Sequence, residues 1–527
     1  MRSVEVVLGL VVLATVVAVT AHRLRVPPPS LLVLAGLLVG SLSWMPAVRV
    51  PPQIVSLVVL PPLLYAAGED LSWRMLRQVW RPVTLLAVGL VGFSAAAVGA
   101  VAAAVTELPA SLAFLLGTVL ASTDPVAVTA LGRRLALPPR VQTLVQAESL
   151  FNDATSLLLF RIAVIAAVAG GGLSWGGAVG EFGLLTGGGV LAGGLVAGGV
   201  SLIRRRTEDP VLETVIALIT PYAAYVLAEA GHASGVTAVV TAAVILGRQT
   251  STLTTANIRL QLSAVYGTVV FLLESVVFSL IGLELPTLIR ALARSGEVWL
   301  WPALLIAATL IAVRVAWVFP LSFLGQYRRG TRRPSWQVPA VISWAGARGV
   351  VPLAATLSIP LTVESGAPLA GRDLVVVLAT SVIVISLVVQ GFTLAPLVRM
   401  TGVAIPASAA QREYALARLR TAQAALGRLQ QLEDVEAVPE VVAERLRTGL
   451  LDRVEVGELH LRGEDGGDGP DDVTSITAAY HAVRRELIAA ESAELSRLHD
   501  LGEIGEATRR NIQRMLDLQE AALNEEQ

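Results

Sequence analysis

Apolar runs of about twenty residues recur from Val4 to about Val398, and a hydrocarbon core about 30 Å thick requires one such run for each helical crossing. Lipid offers no water to bond a bare backbone, so a chain patterned this way must fold as helices that satisfy their own N–H and C=O groups. Composition leaves little alternative. Of 527 residues, 54% are hydrophobic and 15% charged, and a mean hydropathy of +0.68 is far too high for a soluble protein of this size. Between interruptions rich in Arg, Gly or Pro, about thirteen crossings can be drawn. They lie near 4–21, 30–46, 52–68, 79–106, 110–131, 141–169, 177–203, 211–229, 234–248, 264–289, 297–323, 336–360 and 372–398. The first run is followed by His22-Arg23-Leu24-Arg25 and a second apolar stretch, which reads as a retained span and not a cleaved signal peptide.

Alternate loops differ in basic residues. One side collects Arg23, Arg25, Arg74, Arg77, Arg81, Arg133, Arg134, Arg140, Arg204, Arg205, Arg206, Arg248, Arg259, Arg328, Arg329, Arg332, Arg333 and Arg399, and the other has only Arg2, Arg49, Arg290, Arg294 and Arg372. The positive-inside rule makes the first set cytoplasmic, with the N-terminus outside and the C-terminus inside. The chain has no Cys, which excludes disulfides, thiolate metal sites and thiol catalysis. It also has no Lys: all 40 basic residues are Arg, so any cation of the protein buried in lipid stays charged.

After about Val403 the composition turns to Glu, Arg, Gln and Ala with apolar residues at helical spacing. Residues 1–403 are therefore expected to form a transmembrane domain and residues 404–527 a cytoplasmic helical tail. The tail is split by an acidic Gly-rich linker, Gly463 to Asp472. Two helical hairpins or a coiled-coil dimer both fit it, and a stabilising or assembly role is preferred to a sensor.

A charge at the centre of a spanning helix costs at least about 2.5 kcal/mol, so buried ionisable groups are candidates for function. Here they cluster. The fifth span holds Ser122-Thr123-Asp124-Pro125, the sixth Glu148-Ser149-Leu150-Phe151-Asn152-Asp153, and the twelfth Trp344-Ala345-Gly346-Ala347-Arg348-Gly349 through Pro352. At about 1.5 Å per residue, Asp153 and Arg348 each lie roughly 18 Å into their spans, near the midplane. Pro125 removes a donor and disfavours helix at Asp124, freeing carbonyls such as that of Thr123. Gly346, Gly349 and Pro352 weaken the twelfth span in the same way. Two interrupted helices in separate halves of the chain point to a secondary transporter with inverted repeats. Ser149 and Asp153 share one face of the sixth span, as do Glu148 and Asn152. Asp153, Ser149, Asp124 and the Thr123 carbonyl offer the oxygens a hard cation needs. Glu148, one position away, is better placed to pair with Arg348, with Asn152 as hydrogen-bond partner. An Arg left unpaired there would be costly.

Thr123-Asp124-Pro125-Val126-Ala127-Val128, then Glu148-Ser149-Leu150-Phe151-Asn152-Asp153-Ala154-Thr155, and Gly346-Ala347-Arg348-Gly349-Val350-Val351 resemble the signature of the sodium/proton exchanger family of monovalent cation/proton antiporters, over roughly residues 5–400. The overall length with a helical tail looks like the bacterial form. The resemblance implies a thirteen-helix fold, a dimerisation domain, and a six-helix core that moves against it. By the same resemblance Asp153 is the ion- and proton-binding carboxylate, and Asp124, Thr123 and Ser149 contribute to cation coordination. Glu148 with Arg348 is then the stabilising pair. Asn152 stands where electrogenic relatives carry a second Asp, which implies electroneutral exchange. Glu229 and His232 resemble another family segment near the outer surface and are given no catalytic role. Arg161, Glu274 and Arg314 lie within spans without an assigned partner, and ion pairing is their preferred explanation.

The expectation is an all-α polytopic protein of the bacterial plasma membrane, a homodimer, exchanging Na+ for H+ in pH and sodium homeostasis. Potassium or lithium is the nearest rival cargo, since ligand type is shared. A channel, or a sensor acting through the tail, is the rival from another class. No enzymatic chemistry, cofactor or nucleic-acid partner is expected.

Overall fold

The computed structural model describes residues 2–24, 27–42, 55–124, 137–169, 175–207, 209–293, 298–328, 335–363, 366–435, 439–463, 470–501, 503 and 506–525. Pro125 to Val128, several of the loop arginines (among them Arg25, Arg49, Arg133, Arg134, Arg294, Arg329, Arg332 and Arg333) and the centre of the acidic linker lie outside them. Two compact units result, Met1–Ala404 and Ile405–Gln527.

In the first unit the helices are α1 (Arg2–Leu24), α2 (Pro28–Gly40), α3 (Leu60–Glu69), α4 (Trp73–Val105), α5 (Ala110–Leu120), α6 (Pro139–Ala169) and α7 (Trp175–Arg204). They continue as α8 (Pro210–Ala230), α9 (Gly235–Leu253), α10 (Ala256–Ala293), α11 (Leu300–Arg328), α12 (Gln337–Trp344), α13 (Val350–Leu357) and α14 (Arg372–Thr401). Among the described residues the fold is all-α, with one isolated β-bridge between Thr362 and Pro368. Seven helices, α4, α6, α7, α8, α10, α11 and α14, are long and apolar enough to cross a membrane. Apolar segments of α1, α2, α3, α5 and α9 are shorter.

Two of the expected spans are not continuous helices. Helix appears over Ala110–Leu120 and gives way to non-helical backbone at Ser122–Asp124. The stretch 336–360 divides into α12 and α13, with residues 346–349 unwound between them. Pro352 falls in the first turn of α13, where its missing N–H would have had no helical partner anyway.

Small residues let the helices approach closely, as membrane packing favours. A Cβ at Gly36 of α2 would meet the Gly282 backbone of α10 at 3.1 Å. Arg204 at the end of α7 is buried against Glu213 near the start of α8, Nε to Oε2 3.2 Å. The second unit holds α15 (Ala407–Asp434), α16 (Glu440–Gly463), α17 (Pro470–Asp500) and α18 (Glu506–Glu525). These form two helical hairpins. Arg447 of α16 donates to Glu433 of α15 at 2.6 and 2.7 Å, and Ile488, Leu495 and Leu516 join α17 to α18.

Candidate ion-binding site

Helix α6 presents Ser149, Asn152, Asp153 and Ser156 at the i, i+3, i+4, i+7 spacing of one face. That face meets the end of α5 and the unwound residues after it. A helix end leaves carbonyls without intrahelical donors, and inside a membrane side chains must supply them. Ser156 Oγ donates to the Thr118 carbonyl at 2.8 Å, and Ser149 Oγ to the Thr123 carbonyl at 2.6 Å. Asn152 Nδ2 donates to Thr123 Oγ1 at 2.6 Å, while Asn152 Oδ1 accepts from the Thr123 N–H at 3.4 Å. Ser122 Oγ donates to Asp153 Oδ1. Every side chain in this seam is buried, and Asp153 is 7% exposed.

The second interruption reaches the first through Asp124. Its N–H donates to the Ala347 carbonyl at 2.7 Å. Its Oδ2 accepts from the Val350 N–H, the first of α13, at 3.3 Å, where the aligned peptide dipoles favour negative charge. Gly349 makes this possible, because a Cβ there would overlap the Asp124 carboxylate. On the other side, the Arg348 N–H donates to Ser386 Oγ of α14 at 2.8 Å. Asp153, Ser149, Thr123 and Asp124 are thus gathered where two unwound segments meet.

The expected pairing of Glu148 with Arg348 is corrected. Glu148 lies at the edge of that face, one turn before Asn152, and takes a bidentate contact from Arg314 of α11, Nη1 to Oε1 2.5 Å and Nη2 to Oε2 2.8 Å. Arg314 Nε also donates to the Ile342 carbonyl of α12 at 3.2 Å. A Cβ at Gly346 would meet Arg314 Nε at 2.6 Å, so the glycine leaves room for the guanidinium. Arg348 is 3% exposed, and its Nη1 has no hydrogen-bond partner among the described residues. Asn152 bonds Thr123 rather than supporting an ion pair.

Three residues without assigned partners are now placed. Arg314 holds Glu148, Arg161 pairs with Glu229, and Glu274 on α10 lies within electrostatic reach of Asp124. Sequence reasoning missed the contacts of Ser122 and the role of Arg314. Arg314 carried a usable signal: it stays charged inside an apolar span and needs a carboxylate. Among the described residues no group of three or more His, Asp or Glu side chains could hold a resident metal. The seam instead offers two carboxylates with hydroxyl and carbonyl oxygens, suited to a hard cation passing through as cargo.

A helical membrane protein whose unwound segments meet beside buried carboxylates belongs by architecture with the secondary transporters. The sodium/hydrogen exchanger transmembrane domain matches residues 10–400, and the chain belongs to that family. It is 34% identical to an uncharacterized Na+/H+ exchanger of Mycobacterium tuberculosis, over 98% of this chain and 96% of the relative. It is 31% identical to a Na+/H+ antiporter of Aphanothece halophytica, over 82% of this chain and 80% of the relative. The sodium proton antiporter MjNhaP1 from Methanocaldococcus jannaschii shares the fold, with a TM-score of 0.63 and 20% identity over 76% of this chain and 99% of that one. These are transporters and not enzymes, and the chain is a multi-pass membrane protein.

Proposed function

We propose that this protein exchanges Na+ for H+ across the plasma membrane, the two competing for Asp153 by alternating access. The observation that carries this reading is the difference in charge compensation along α6. Glu148 is matched by Arg314, whereas among the described residues Asp153 meets a hydroxyl donor, and its charged neighbour there is another carboxylate, Asp124. An ionised carboxylate buried in this way demands compensation, which either a proton or a cation supplies. Oxygens of Asp153, Asp124, Ser149 and Thr123 would form the cation's shell, since the carbonyl and hydroxyl oxygens keep a lone pair beyond their present bonds. Asn152 adds no charge, so one transport carboxylate on α6 gives electroneutral exchange.

In this reading residues 1–403 form the antiporter domain, with dimerisation and transport-core parts, in a homodimer. Residues 404–527 are a cytoplasmic tail, and the N-terminus is outside. The exchange serves pH and sodium homeostasis. In everted vesicles, Asp153→Asn abolishes cation-dependent proton movement, and normal exchange by a well-expressed mutant would end the proposal. Counterflow titrated with Na+, Li+ and K+ separately identifies the cargo. Preference for K+ would replace sodium in this scheme, and flux that a pH gradient cannot drive uphill would replace the antiporter with a channel.

A further inference from the structure

A cavity of about 170 Å3 lies between α11 and α14, behind the unwound turn that carries Arg348. Its walls are apolar, with Leu304 and Ile311 on α11 and Val382, Ile385 and Val389 on α14. Its inner end is polar, bordered by Arg348, Ser386 and Gln390. Leu304 and Val389 are 50% and 43% exposed, and Ala308 beside them is exposed, so the mouth opens on the lipid-facing surface of the two helices.

Among the described residues, the charges at the inner end do not balance. Arg314 and Arg348 act on one another, and the carboxylate acting on both is Glu148. Glu148 spends both oxygens on Arg314. Arg348 is left buried, with Nη1 unpartnered among the described residues. An uncompensated guanidinium in the membrane interior is costly, and an anion entering the cavity would relieve it.

We propose that this cavity binds the carboxylate of a long-chain fatty acid, with the head at Arg348 and the chain leaving between α11 and α14 into the bilayer. Size and depth select this occupant. A cavity near 150 Å3 holds a molecule the size of benzene, so this one takes a carboxylate and its first methylenes. A two-chain phospholipid does not fit, and its headgroup is anchored at the membrane surface, far from the midplane where Arg348 sits. A single-chain acid reaches that depth in its neutral form and can ionise against the guanidinium, forming a charge-assisted pair. A small inorganic anion would match the charge but leave the apolar walls and lipid-facing mouth unused. The proposal is independent of which cation the protein exchanges, because it uses neither Asp153 nor Asp124.

The test is equilibrium binding of radiolabelled oleate to the detergent-purified full-length protein, with methyl oleate as competitor. Saturable binding of one oleate per chain is expected, with methyl oleate failing to displace it. Ala308→Trp, which fills the mouth from an exposed position, should weaken oleate at least tenfold, and Arg348→Gln should do the same where it folds. Non-saturable uptake, displacement by methyl oleate at the same concentrations, or unchanged affinity in Ala308→Trp each overturns the proposal. Because Ala308 lies outside the charged seam, the experiment decides the matter even if Arg348→Gln does not fold.

Discussion

Glu148 and Asp153 stand five residues apart on α6, both buried, yet their surroundings are opposite. Glu148 meets a guanidinium with two parallel hydrogen bonds. Asp153 meets the Ser122 hydroxyl and the like charge of Asp124. A bidentate Arg–carboxylate pair fixes both charge and geometry, so the Glu148 face behaves as a fastener between α6, α11 and the end of α12. Among the described residues the Asp153 face has no such fastener. It is held by neutral donors that can rearrange without stranding an ion, as a group that alternates between partners requires.

The contrast breaks most visibly at Arg314. Arg314→Leu breaks the bidentate pair and leaves Glu148 only the more distant charge of Arg348, a change that costs up to about 3–5 kcal/mol. The thermal midpoint of the detergent-purified protein should fall steeply, with loss of the monodisperse species in size-exclusion chromatography. The double variant Arg314→Leu/Glu148→Gln removes both charges and should recover most of that loss, because replacing a whole buried pair is often close to neutral. If the single variant is as stable as the wild type, Glu148 is not fastened by Arg314. By comparison Asp153→Asn should leave the midpoint near that of the wild type while abolishing exchange.

The sequence made one side of this contrast legible and hid the other. Asp153, Ser149, Thr123 and Asp124 could be picked out because their signals are local: oxygen-bearing residues at helical spacing on one span, and an Asp-Pro break on its neighbour. The unwound turn after Trp344 was readable from Gly346, Gly349 and Pro352 for the same reason. The partner of Glu148 was not, because Arg314 and Arg348 are both Arg, both lie deep in apolar spans, and are separated from Glu148 by 166 and 200 residues (314 − 148 and 348 − 148). Depth, together with the family resemblance, made Arg348 the better candidate. Only the packing of α11 against α12, with Gly346 giving way to the Arg314 side chain, decides between them. Long-range pairing of identical side chains is set by which helix faces which, and a single sequence does not encode that in any local pattern.

A smaller effect is expected where the two interruptions touch. Gly349→Ala places a Cβ where the Asp124 carboxylate lies, so Asp124 must withdraw from the Val350 N–H. Arg314 and Glu148 are untouched, so folding should survive. The expected result is roughly a tenfold fall in exchange rate, from a loss of about 1.4 kcal/mol at the site, with wild-type expression and thermal midpoint. Collapse of the midpoint instead would mean that the Asp124 contact serves the fold and not the exchange.

The finest test separates the two roles that Ser149 combines. Its hydroxyl satisfies the Thr123 carbonyl and, in the proposed exchange, also faces the cation. Ser149→Ala removes a hydrogen bond whose net value is about 0.5–1.5 kcal/mol. If the hydroxyl only fastens the unwound segment, that amount should appear as lost stability, with the cation KM unchanged. If it also coordinates the cation, KM for Na+ should rise by about 2- to 10-fold, the same energy expressed as affinity, while the maximal rate stays within a factor of two. Ser149→Thr keeps the hydroxyl and should restore KM. A rise in KM that Thr does not reverse would point to a lost shape at this position rather than a lost ligand, and would leave Asp153, Asp124 and the Thr123 carbonyl as the cation's protein shell.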